Sequence, residues 1–168
     1  AFLFLQIEAL RRKDKYREAA ALLAKAPRDP ARLINTSEWW DEQRIVARGL
    51  ADQGDYKAAY AIVSAHAATQ PTDIADAEFH AGWYALRNLN DPQKAAGHFR
   101  RILEASSRPI SASRAFYWLG RAAEVAQSAE AEAHFRSAAA HTGSFYGQLA
   151  AARLNMSALS VQSPSPTE

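Results

Sequence analysis

Four stretches of the chain repeat one pattern: "KDKYREAAALLAKA" from Lys13, "QGDYKAAYAIVSAH" from Gln53, "LNDPQKAAGHFRRI" from Leu89 and "AQSAEAEAHFRSAA" from Ala126. Each opens on a polar turn residue, Asp14, Asp55, Asp91 or Ser128, able to accept hydrogen bonds from the free N–H groups at a helix start. A small residue follows at Ala19, Ala59, Ala95 or Ala131, and four positions later a larger apolar one at Leu23, Val63, Phe99 or Phe135. The alanines are spaced 40, 36 and 36 residues apart. That is the length of a helix–turn–helix unit, and one such unit cannot bury its apolar face alone, so neighbours must stack.

The first helix of each pair lies just upstream of these stretches. The pattern predicts such helices near residues 2–12, 38–52, 73–89 and 110–126, with a last one near 143–154. Ser37-Glu38, Thr72-Asp73, Ser111 near Pro109, and Thr142 mark their expected starts. Pro92 suits the first position of its helix, where a missing N–H has no partner to lose. The expected fold class is all-α: tetratricopeptide-like antiparallel helix pairs forming a curved α-superhelix, or α-solenoid. "PRDPARLINT" reads as a loop shaped by two prolines. The helical-repeat domain is expected over residues 1–154, and residues 155–168, rich in serine and proline, read as a flexible tail or linker. The apolar opening "AFLFLQI" is too short to span a bilayer and is followed at once by "EALRRKDKYR". It reads as the buried face of a helix that begins further upstream, and the chain as a mature form or an internal fragment.

Gly82 stands beside Trp83, although glycine weakens a helix interior by about 1 kcal/mol relative to alanine. Gly120, just behind Tyr117-Trp118-Leu119, repeats the arrangement. Small residues on a first helix let the second helix cross closely. Gly82, Trp83, Phe99, Trp118, Gly120 and Phe135 are therefore expected to be helix-packing residues.

Composition narrows the possible functions. The formal net charge of +2 supplies no basic face of the kind an RNA-binding helical array needs, so no nucleic acid partner is expected. No membrane span is expected either. With no cysteine there are no disulfides and no thiolate metal sites. Five histidines occur without an H-E-x-x-H pair; His134 and His141 could share a face but lack a third ligand, so no metal and no cofactor are expected. "TGSFYG" matches neither a phosphate loop nor a nucleophile elbow, which leaves Ser144 without a catalytic claim. Glu38, Asp41 and Glu42, and again Glu130 and Glu132, fall near helix starts, where the helix dipole favours ionisation. A glycosidase-type acid needs the opposite environment. One stripe remains as a candidate contact surface for a glycan or a partner: Arg114, Tyr117 and Arg121, with Trp118 beside it and Glu124 positioned to pair with Arg121.

Taken in order, "WWDEQRIVARGLADQGDYKAAYAIVSAH", "AEFHAGWYALRNLNDPQKAAGHF", "RPISASRAFYWLGRAAE" and "SFYGQLAA" resemble the superhelical region of soluble lytic murein transglycosylases, over roughly residues 8–154. The resemblance implies a curved helical array leading into a lysozyme-like catalytic domain of the same parent chain, in the periplasm, with the peptidoglycan glycan strand as ligand. In that family a glutamic acid in a Glu-Ser segment protonates the leaving oxygen, and the sugar's own hydroxyl closes a 1,6-anhydro ring. A Gly-Leu-Met-Gln-like segment follows. Neither segment occurs here, so no catalytic residue carries over, and the expected role is a non-catalytic arm that supports the catalytic domain and guides glycan. From another class, the same repeats suit a free-standing adaptor that binds a protein or peptide in its groove.

Overall fold

The computed structural model describes residues 2–155. Nine α-helices follow one another among them: α1 Phe2–Arg11, α2 Tyr16–Leu23, α3 Thr36–Asp52, α4 Tyr56–Ser64, α5 Pro71–Arg87, α6 Pro92–Ala105, α7 Pro109–Val125, α8 Ala131–Ala139 and α9 Phe145–Arg153. A single 3-10 turn, Pro30–Arg32, sits in the long α2–α3 loop, and Asp29 caps it by accepting from the Ala31 N–H at 3.0 Å. Each helix packs on the next in the chain, and no strand occurs among the described residues. Apart from Asn155, the expected tail lies outside the described residues.

The helix starts rest on two devices. Asn35, Asp55, Asp91 and Ser144 accept hydrogen bonds from backbone N–H groups of the first turns of α3, α4, α6 and α9. Pro71, Pro92 and Pro109 occupy the first turns of α5, α6 and α7. Asp55 and Asp91 therefore cap as expected, but Asp14 and Ser128 do not. Asp14 is left-handed, with φ 56°, and its carboxylate instead accepts from the Tyr16 hydroxyl. Ser128 accepts only from the Glu130 N–H, before α8 has begun. The starts expected at Ser37, Thr72, Ser111 and Thr142 likewise shift, because Asn35, Pro71, Pro109 and Ser144 take those duties.

The turns within the pairs share a backbone geometry. One residue in each is left-handed: Asp14, Gly54 (φ 82°), Asn90 and Gln127. The next N–H reaches back to the end of the first helix: Lys15 to Leu10 O, Asp55 to Leu50 O, Asp91 to Ala85 O and Ser128 to Ala123 O, at 2.8–3.0 Å. These bonds satisfy carbonyls that the ending helix leaves free, as in a Schellman cap. They also turn the chain back so that the second helix lies antiparallel on the first.

Two apolar clusters form the core. The first joins α1–α4 to Ala77, Ala81 and Tyr84 of α5, and the second joins Ala75, Ala85 and Leu86 of α5 to α6–α9. Tyr60 and Trp83 pack against both. Ala19, Ala59 and Ala95 are fully buried at the expected crossings, whereas Ala131 is only partly covered. The opening helix departs from expectation more sharply. Only Ile7 of α1 is buried, and Phe2 and Leu5 are 75% and 59% exposed.

Gly82 and Gly120 stand where the second helices of their pairs cross. A methyl group at Gly82 would collide with the ring of Phe99 on α6. At Gly120 it would lie 2.6 Å from Phe135 Cε1 on α8. A third joint, which the sequence pattern does not single out, sets Gly49 against the ring of Tyr16, whose atoms lie 2.5 Å from where a Cβ would stand. The Trp83 ring centroid lies 4.8 Å from that of Trp118 in an edge-to-face pair.

Candidate functional site

The first helices of two successive pairs, α3 and α5, line a common hollow. A cavity of about 770 Å³ is lined from α3 by Arg44, Ile45, Arg48, Ala51 and Asp52, from α5 by Phe79, His80, Trp83 and Tyr84, and by Asn88 just past the end of α5, with Tyr56 and Tyr146 closing it from α4 and α9. Phe79, Trp83 and Tyr146 keep part of their rings accessible, and Arg87 lies over the Trp83 ring at 5.2 Å. The charges here are largely paired. Arg44 lies 3.1 Å from Asp41 and 3.9 Å from Asp76, and Arg48 lies 3.4 Å from Asp52. Asp76 also accepts from Trp40 Nε1 at 3.1 Å. Aromatic faces framed by paired, planar polar groups suit an extended neutral polymer better than a polyanion. A smaller cavity of about 470 Å³ lies between α2, α3 and α4 and is lined mainly by alanine and leucine.

The Arg114–Tyr117–Arg121 stripe is divided by the packing. Arg114 stacks its guanidinium 4.4 Å above the ring of Phe79, and burial lowers its pKa, partly opposed by Asp76 and Tyr146. Tyr117 offers a ligand little surface at 4% exposure, because its ring is enclosed by Trp118, Phe135 and Tyr146. Arg121 donates weakly to the Tyr117 hydroxyl at 3.4 Å and lies 3.3 Å from Glu124, at an angle that makes an ion pair but not a hydrogen bond. Glu124 is held from the other side by Arg153 of α9, whose own pKa rises chiefly through that hydrogen bond.

Two carboxylates are buried: Glu42, expected near a helix start, and Glu78, which the repeat pattern does not single out. Glu42 is not a helix-end charge; it sits on the buried face of α3 and takes Arg11 of α1 at 3.0 and 2.6 Å through both oxygens. Glu78 lies inside α5, where Oε1 meets His66 Nε2 at 3.1 Å and Oε2 meets His98 Nδ1 at 2.6 Å. The Tyr60 hydroxyl meets His98 Nε2 at 2.8 Å, and Arg101 lies 3.4 Å from the carboxylate. An ionised Glu78 carboxylate can only accept, so His98 Nδ1 donates to it, while Nε2 shares a hydrogen bond with the Tyr60 hydroxyl. Burial raises the Glu78 pKa, but the bonds from His66 and His98 outweigh it and bring it down to about 2. That carboxylate is therefore no general acid. The sequence does carry a signal for it: Ala75, Glu78, Gly82 and Ala85 recur at spacings of three and four, so a carboxylate stands on an apolar stripe and requires partners.

The other candidates resolve into structural duties. Ser144 Oγ donates to the His141 carbonyl at 2.8 Å and accepts from the Gly147 N–H at 3.0 Å. Glu132 pairs with Arg136 at 2.6 Å, and Glu130 lies 4.0 Å from His134, whose pKa burial lowers. Among the described residues no group of three or more potential ligands is placed to hold a metal, and no helix is long and apolar enough to cross a membrane. No family model, curated protein or solved structure matches the chain.

Proposed function

We propose that this chain is the non-catalytic helical region of a soluble lytic murein transglycosylase. In this reading it is a curved α-solenoid of tetratricopeptide-like pairs in the periplasm. It supports a lysozyme-like catalytic domain of the same parent chain and guides peptidoglycan glycan strands along its inner face. The observation that carries the proposal is the cavity shared by α3, α5 and α9. First helices two and three pairs apart line the same hollow, which is what curvature of such an array produces. Its rings offer flat apolar faces for sugar C–H surfaces, and Arg44, Asp52 and Asn88 offer polar edges for hydroxyl and acetamido groups. The ordered resemblance to the superhelical region supports the same reading.

The test is co-sedimentation of the purified chain with peptidoglycan sacculi, followed by chromatography of the supernatant for 1,6-anhydro products. The expected result is binding that weakens in Trp83→Ala, with no anhydro products. A chain that stays in the supernatant would sink the glycan reading and favour the adaptor. Products above a buffer control would refute the non-catalytic assignment.

A further inference from the structure

Arg114 differs from the arginines around it. Arg44 and Arg48 have carboxylate partners, Arg121 has Glu124, and Arg87 is exposed to water. Arg114 is partly buried, and its Nε is sealed from solvent with no acceptor among the described residues. The acid with most influence on it, Asp76, already receives Trp40 and lies beside Arg44. One helical turn along α7, Trp118 Nε1 is also buried without an acceptor among the described residues. Both side chains meet the same ring: Phe79 lies under the Arg114 guanidinium, and its centroid is 6.3 Å from that of Trp118. A guanidinium N–H sealed from water without an acceptor is costly, and native structures seldom keep one without a use.

We propose that Arg114 forms an anion subsite at the edge of the inner face, taking a carboxylate of the polymer whose sugar rings stack on Trp83 and Tyr146. In peptidoglycan that group is a carboxylate of the stem peptide, since the sugar rings themselves are neutral. The proposal rests on the glycan reading above and adds to it which part of the strand is recognised. A guanidinium already stacked on a ring and partly buried is pre-organised for a carboxylate at its accessible nitrogens, with little left to order on binding.

The test compares two probes by calorimetric titration at low salt: a neutral N-acetylglucosamine oligomer, and a muropeptide of similar length with free carboxylates. The charge-assisted contact should make the muropeptide bind about tenfold more tightly. Amidating the muropeptide carboxylates should close that gap. Arg114→Gln should close it too, and Arg114→Lys should restore part of it. Equal binding of the two probes by the unaltered chain would overturn the subsite and leave the glycan reading intact. Failure of both probes to bind would overturn both. A gap that survives amidation would overturn the subsite even if Arg114→Gln proved too unstable to purify.

Discussion

Gly82 and Gly97 are both helical glycines, yet their surroundings impose opposite demands. Nothing lies within 4 Å of where a Cβ would stand at Gly97, so Gly97→Ala should gain about 0.5–1 kcal/mol from helix propensity alone. At Gly82 the same methyl meets the fully buried ring of Phe99, which neighbouring side chains hold in place. Gly82→Ala should therefore lose about 1–3 kcal/mol, an overpacking cost that exceeds the propensity gain, and Gly82→Leu at least as much. Urea titrations of the variants read both signs; a Gly82→Ala protein as stable as the unaltered chain would show that Phe99 can step aside. The sequence identified Gly82 and Gly120 as tight crossings because a glycine inside an amphipathic helix is costly unless a neighbouring helix crosses there. What it left open was which side chain fills the crossing: the ring above Gly82 belongs to Phe99, 17 residues further on.

Between helices, Glu78 ties α5 to His66 just past the end of α4 and to His98 of α6, so one carboxylate bridges two helix pairs. Its folded pKa of about 2 lies below the ordinary 4.5. The ionised form is thus favoured by folding, and the stabilisation is complete above pH 4.5 and lost as pH falls towards 2. Thermal melts from pH 7 to about 2.5 should show a steeper acid loss of stability in the unaltered chain than in Glu78→Gln. Glu78→Gln should also lower stability by about 1–3 kcal/mol at pH 7, because His98 keeps its position but loses its charged acceptor. Parallel acid limbs would mean that Glu78 does not set that dependence. Helix existence and pairing were legible here because a period of about 3.6 residues, recurring in every repeat, leaves little choice. The turn geometry was not, since Asp14, Gly54, Asn90 and Gln127 share a left-handed backbone but no side-chain chemistry. For Glu78 the apolar stripe signals a need for partners but not which ones: His66 and His98 lie 12 and 20 residues away, and only the fold brings them together.

Across the whole chain, α5 belongs to both halves of the core. Its Ala77, Ala81 and Tyr84 complete the α1–α4 cluster, while Ala75, Ala85 and Leu86 complete the α5–α9 cluster. Stacked repeats unfold together only where each interface is strong enough to make partial unfolding costly. Tyr60 and Trp83 supply side chains that touch both clusters, and the Glu78 bridge adds a polar tie at the same junction. The chain should therefore melt in one transition, with far-ultraviolet dichroism and tryptophan fluorescence coinciding. Trp83→Ala should separate them. Truncating a large aromatic at a junction costs up to about 3–5 kcal/mol, and that loss falls on the coupling between halves more than on either half. The remaining tryptophans then report on the two sides: Trp40 lies in the first cluster with Trp39 packed against it, and Trp118 lies in the second. Trp118→Phe in the Trp83→Ala background would leave fluorescence reporting the first half alone, while dichroism still averages both. Two midpoints are the expected outcome; one shared midpoint, merely lowered, would show that the backbone of α5 couples the halves without help from the Trp83 side chain.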